Sequence, residues 1–65
     1  MQGKVKMFQP AKGYGFIISE DGKEVFFHYS QLLMEGYKTI DPDTAVEFEI
    51  VETERGLQAN NIVKL

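Results

Sequence analysis

The chain has 65 residues, no cysteine, one histidine and a formal net charge of −3. A chain this short makes a single domain, residues 1–65, near the lower limit for folding without help, and the lack of cysteine excludes disulfides and thiolate metal sites. No apolar run approaches the roughly 20 residues of a membrane span, and the N-terminus lacks the basic-then-apolar layout of a signal peptide. Both absences fit a cytoplasmic protein without a membrane partner. A hydrophobic content of 43% is ordinary for a globular chain and too high for a disordered one.

Taken in chain order, turn signals divide the sequence into five short strands. The first covers residues 3–8 and stops before Pro10, which cannot donate to a ladder. The second covers 14–19. Asp21-Gly22 then makes a hairpin turn, because glycine accepts a positive φ without penalty, and a third strand over 23–29 pairs antiparallel with the second. Residues 30–36 suit a single helical turn capped by Ser30 and stopped by Gly36, too short to stand alone. A long loop follows, carrying Tyr37, Lys38 and Ile40. The fourth strand, 45–53, sets Val46, Phe48 and Ile50 against Glu47, Glu49 and Val51. Arg55-Gly56 turns the chain into a fifth strand over 58–65. The reading is all-β, a five-stranded antiparallel barrel whose closure hides exposed strand edges.

Eight of the residues are aromatic, and five of these fall in Lys12-Gly13-Tyr14-Gly15-Phe16-Ile17 and Val25-Phe26-Phe27-His28-Tyr29. Alternate strand residues face opposite ways. A histidine belongs in water more readily than a valine, so Ile17, Val25 and Phe27 point inward. Tyr14, Phe16, Phe26 and His28 then line one outer face, made continuous by the Asp21-Gly22 hairpin. Ile18 shares that parity and either extends the apolar platform or pairs across the hairpin. Exposed apolar patches mark binding surfaces, and flat rings beside lysines suit the stacking of unpaired bases.

The acidic balance argues at first against a polyanionic partner, but its distribution softens the objection. Residues 1–19 hold Lys4, Lys6 and Lys12 with no acid, while residues 20–65 carry a net −6. The positive segment is the one with the Gly-Tyr-Gly-Phe run. Such a layout favours stacking over long-range attraction; with roughly three lysines near phosphates, log affinity should fall by about two units per tenfold rise in salt.

Catalytic and cofactor chemistry find little support. Gly13 and Gly15 do not open a helix, as a phosphate-cradling loop would. Glu47, Glu49, Glu52 and Glu54 read as a solvated surface. His28 has no second ligand type clustered with it for a metal, and no nucleophile–base grouping exists. The expectation is a protein that is not an enzyme, with no cofactor, no metal and no small-molecule substrate.

The two aromatic stretches resemble the first and second ribonucleoprotein motifs of the bacterial cold-shock proteins. The likeness extends to Gly3-Lys4-Val5-Lys6, to Glu35-Gly36-Tyr37-Lys38-Thr39, and to Arg55-Gly56 with Gln58-Ala59, covering essentially the whole chain. What the resemblance implies is an oligonucleotide-binding (OB) fold that grips single-stranded RNA or ssDNA, bases inward, with a pyrimidine preference and RNA-chaperone activity, as a monomer. By position, Phe16, Phe26, His28, Tyr29 and Tyr37 would stack on bases, with Tyr14 alongside. Lys6 and Lys12 would approach phosphates or base edges, with Lys38 next to Tyr37 in the loop, while Arg55 and Gln58 would border the groove.

The chain also departs from the family's pattern. Met7-Phe8-Gln9 stands where the family usually has Trp-Phe-Asn, so the base subsite at Met7 has a polarizable thioether and no π face. Phe27 stands where a smaller β-branched residue is usual, Leu57 replaces a common proline, and Asn60 takes a place often held by a small residue. The alternative function is a protein-interaction module that docks a partner on the aromatic face.

Overall fold

Hydrophobic alternation and two glycine-assisted turns set most of the architecture. In the computed structural model, which describes residues 1–34 and 39–65, the strands are β1 (Gln2–Gln9), β2 (Tyr14–Ser19), β3 (Glu24–His28), β4 (Ala45–Thr53) and β5 (Gly56–Lys64). They close into a barrel in the order β1-β2-β3-β5-β4. Four of the pairings are antiparallel; β3 and β5 run parallel where the barrel closes, which corrects the all-antiparallel expectation. After β3 the chain makes a short helical turn before it returns to the barrel as β4. That path leaves the two strands at the seam pointing the same way.

The β2–β3 hairpin is built on the Asp21-Gly22 turn, with Gly22 at φ 86°. The buried Ser19 hydroxyl donates to the Asp21 carboxylate and accepts the Lys23 backbone N–H at 3.0 Å. That bond from Ser19 holds the Asp21 carboxyl below the usual carboxylate range. The native state therefore favours the charged form, a contribution present at neutral pH and lost as acid protonates the group.

Inside the barrel, Val5, Ile17, Val25, Phe27, Val46 and Phe48 are all buried, as the alternation requires. Phe27 is fully enclosed, and its ring stacks on Phe8 at 5.7 Å. Gly15, paired with Phe8 across β1 and β2, leaves room for it. A Cβ at Gly15 would lie 2.8 Å from the Phe27 ring and run into the Met7 carbonyl oxygen. The large Phe27 is thus accommodated by a neighbour with no side chain, a volume balance that close-packed interiors demand.

Two bulges interrupt the alternation. In β1 the register shifts between Val5 and Met7, so that Val5 pairs with Ile17 but Met7 with Phe16. Lys6 is the extra residue; beyond it Met7 faces outward and Phe8 inward. In β5, Ala59 and Ile62 are both buried although three residues apart, and the register against β4 shifts between Glu47 and Glu49. Asn61 takes up the slack at φ 52°, a conformation asparagine tolerates better than most residues.

The expected helical turn over 30–36 is shorter and starts earlier, as a 3₁₀ turn over Tyr29–Gln31. Its cap is not Ser30 but His28, whose ring Nδ1 accepts the Ser30 backbone N–H. Gly36, assigned as its stop, lies outside the described residues, as do Tyr37 and Lys38. At the other hairpin Thr53 pairs directly with Gly56, so the turn is Glu54-Arg55 and Gly56, at φ 116°, already opens β5.

Candidate nucleic-acid interface

Register places the outward side chains of β1, β2 and β3 in rows. Gln9, Tyr14 and His28 form one; Met7, Phe16 and Phe26 the next; Lys4, Ile18 and Glu24 the third. Ile18 therefore does pair across the hairpin, with Glu24, and ends half-buried at the margin of the aromatic rows.

Three of the rings form a mutually packed triad. Tyr14 meets Phe16 edge-on at 6.2 Å and Phe26 at 5.8 Å, and Phe16 meets Phe26 edge-on at 5.9 Å. Edge-to-face contacts suit the ring quadrupoles and fix each ring's tilt. All three are half-buried, with one side of the cluster left to solvent. His28 belongs to the same face but packs on Tyr29 instead, ring centroids 4.5 Å apart. Strict alternation would turn Tyr29 inward; the strand ends at His28, and the 3₁₀ turn leaves Tyr29 44% exposed.

Gly13 explains why that pair sits where it does. It is buried at φ 79°, and a Cβ there would lie 2.9 Å from the Tyr29 ring and 3.5 Å from His28 Nε2. Its carbonyl accepts the Tyr29 N–H at 2.9 Å. Lys12, exposed in the preceding turn, stands next to this end of the face. Ser30 Oγ and the Ser30 N–H both lie within bonding distance of His28 Nδ1, which fixes the ring and leaves Nε2 as its remaining polar atom.

The parallel seam brings β5 alongside the platform, with Phe26 in register with Gln58. Phe16, Phe26, Thr53, Arg55, Leu57 and Gln58 line a cavity of about 300 Å³. Arg55 and Gln58 thus share one concavity with two of the rings. Thr53 and Leu57 were not expected there. They flank Arg55 two residues to either side around the hairpin, and that spacing was the signal that locates them. Gln58 and Asn60 point the same way, the Gln58 amide N–H directed to Asn60 Oδ1 at 3.5 Å.

Lys6 does not extend freely from the bulge. Its Nζ donates to Glu24 Oε2 at 2.7 Å, with both side chains about half exposed. Among the predicted residues, then, Met7, Tyr14, Phe16, Phe26, His28, Tyr29, Arg55 and Gln58 gather on one face, Lys6 and Lys12 stand at its margins, and Tyr37 and Lys38 lie outside the described residues.

A closed barrel of these five strands, carrying a packed aromatic face over β2 and β3, defines an OB-fold. The chain belongs to the cold-shock domain family: the family model described as the 'Cold-shock' DNA-binding domain matches residues 1–65. It is 52% identical to the cold shock-like protein CspC of Bacillus cereus, over 100% of both chains. It is also 52% identical to the cold shock protein CspA of Staphylococcus aureus, over 98% of this chain and 97% of that one. Among solved structures it is similar to drosophila Unr CSD456, with a TM-score of 0.80 and 32% identity, over 98% of this chain and 26% of that one.

Proposed function

We propose that this protein binds single-stranded RNA and DNA by stacking unpaired bases on Tyr14, Phe16, Phe26, His28 and Tyr29, and acts as an RNA chaperone by holding strands open. The observation that carries the reading is the Tyr14–Phe16–Phe26 triad, three mutually packed rings with Phe16 edge-on to the other two, half open to solvent. Each exposed ring offers a base about 1–3 kcal/mol of stacking that does not depend on its identity. Arg55 and Gln58 border the cavity beside Phe16 and Phe26, where a guanidinium and an amide reach base edges or phosphates. Lys6 and Lys12 supply the cationic margin, with Tyr37 and Lys38 as further contacts from the loop. The family description and the full-length bacterial relatives support the same reading. It requires no catalysis, cofactor or small-molecule substrate, and we assign the whole chain to one domain acting as a cytoplasmic monomer.

The test is fluorescence anisotropy of a labelled seven-nucleotide oligo-dT, titrated at low and moderate salt. Saturable binding is expected, with log affinity falling by no more than about two units per tenfold rise in salt. No binding at tens of micromolar would overturn the reading and turn attention to a protein partner for the aromatic face. Met7→Trp should tighten the same titration. Met7 is half-buried in register with Phe16, so an indole there adds a fourth flat surface to the platform, at up to about 1–3 kcal/mol. Unchanged affinity would remove Met7 from the interface.

A further inference from the structure

His28 differs from the phenyl rings beside it in carrying polar atoms, and one of them is engaged. Its Nδ1 accepts the Ser30 backbone N–H at 3.2 Å, with Ser30 Oγ 2.9 Å from the same nitrogen. His28 itself is extended, at φ −105° and ψ 147°, so this bond closes the entry to the 3₁₀ turn as an N-cap. The residues that usually cap are serine, threonine, aspartate and asparagine, whose short side chains offer an oxygen and no ring. Histidine supplies an acceptor nitrogen and a flat face in one side chain.

The turn decides where Tyr29 goes. Val25 and Phe27 point inward, and an uninterrupted β3 would send Tyr29 after them. Instead β3 ends at His28, and the Tyr29 ring lies over Gly13, 4.5 Å from the imidazole. Leu32 is the next side chain after Phe27 to be buried, and its N–H bonds to the Tyr29 carbonyl at 3.0 Å, closing the far end of the turn. We infer that His28 Nδ1 is what ends β3 and holds Tyr29 on the outer face, which makes His28 a positioning residue for Tyr29 as well as a stacking ring itself. The inference rests on the proposed binding reading. With Nδ1 as acceptor, the neutral ring carries its proton on Nε2, and a side chain of the same shape without that acceptor leaves the Ser30 N–H to water and the turn without its cap.

Two substitutions separate the roles. His28→Phe keeps a flat ring and removes the acceptor, whereas His28→Asn removes the ring and keeps the acceptor of a preferred capping residue. Each is combined with Tyr29→Ala and titrated with the labelled oligo-dT, with thermal melts confirming that every variant is folded. In the parent, Tyr29→Ala should weaken binding by at least about fivefold, the lower end for one stacking ring. The same change should cost as much in the His28→Asn background and little or nothing in His28→Phe. Nuclear Overhauser effects between the Gly13 α-protons and the Tyr29 ring, recorded without ligand, should be strong in the parent and His28→Asn and weak in His28→Phe. An equal cost of Tyr29→Ala in all three backgrounds, or Gly13 contacts retained in His28→Phe, would overturn the positioning role and leave the stacking reading intact. Loss of the Tyr29 contribution in His28→Asn as well would also overturn it, by tracing the effect to the ring contact and not to Nδ1. No cost of Tyr29→Ala in a parent that binds would remove Tyr29 from the interface and the inference with it. If the parent does not bind, the reading falls, and the Gly13 contacts alone decide the cap: lost in His28→Phe they uphold it, retained they overturn it.

Discussion

Replacing Phe16 and Phe26 together by alanine should reduce oligo-dT binding by at least tenfold while the barrel still melts cooperatively. The two rings face each other across the β2–β3 pair at 5.9 Å and jointly wall the 300 Å³ cavity. Each stacking ring is worth about 1–3 kcal/mol. Since they share one cavity their losses will not simply add, yet even the lower end, about fivefold for each ring, leaves a combined loss above tenfold. The fold should survive because neither ring belongs to the buried cluster. What the barrel loses is their contact with each other and with Tyr14, a matter of about 0.5–1.5 kcal/mol for an aromatic pair. Anisotropy and a thermal circular-dichroism melt on the same sample separate the two effects. Retained binding would show that the platform is elsewhere, and an unfolded double variant would show that these rings are core.

Phe27→Ala should do the opposite, removing most or all of the folding stability. Phe27 is the largest fully buried side chain among the described residues, and deleting a buried phenyl ring usually costs about 3–5 kcal/mol. The net stability of a domain this size is roughly 3–10 kcal/mol. Gly15 offers no side chain to fill the void, and Phe8 would lose the ring it stacks on. A urea titration should find the variant largely unfolded or with its midpoint shifted to a fraction of the parent value. A shift worth less than about 1 kcal/mol would mean that Phe27 is not the centre of the core.

Much of this was legible in the sequence where local rules operate. Parity alone separates Ile17, Val25 and Phe27 from Tyr14, Phe16, Phe26 and His28, and the structure puts the first set inside and the second on the outer face. The span of β2 and that of β4 follow directly from their patterns. Legibility fails where a residue's position depends on its partner strand. The bulge at Lys6 exists only in the register of β1 against β2, so the inward turn of Phe8 onto Phe27 is not visible in β1 itself. The parallel seam depends on closure, since a ring of five strands cannot alternate direction at every pairing. The Lys6–Glu24 bond joins residues 18 apart that touch only because β2 lies flat between them. Tyr29 shows the limit of parity from the other side: its exposure is set by the strand ending one residue earlier.

The bulge in β1 also changes the grain of the surface. In a regular strand, side chains on one face recur every second residue, about 6.6 Å apart, so neighbours in sequence cannot serve the same ligand. By letting Lys6 and Met7 both face outward, the extra residue halves that interval and roots a cationic side chain and a thioether on consecutive residues. A nucleotide pairs an anionic group and a flat apolar one at similarly close quarters. On the proposed binding reading, β1 would address both halves of one nucleotide with two consecutive residues, a density of contact that its plain pleat would not permit.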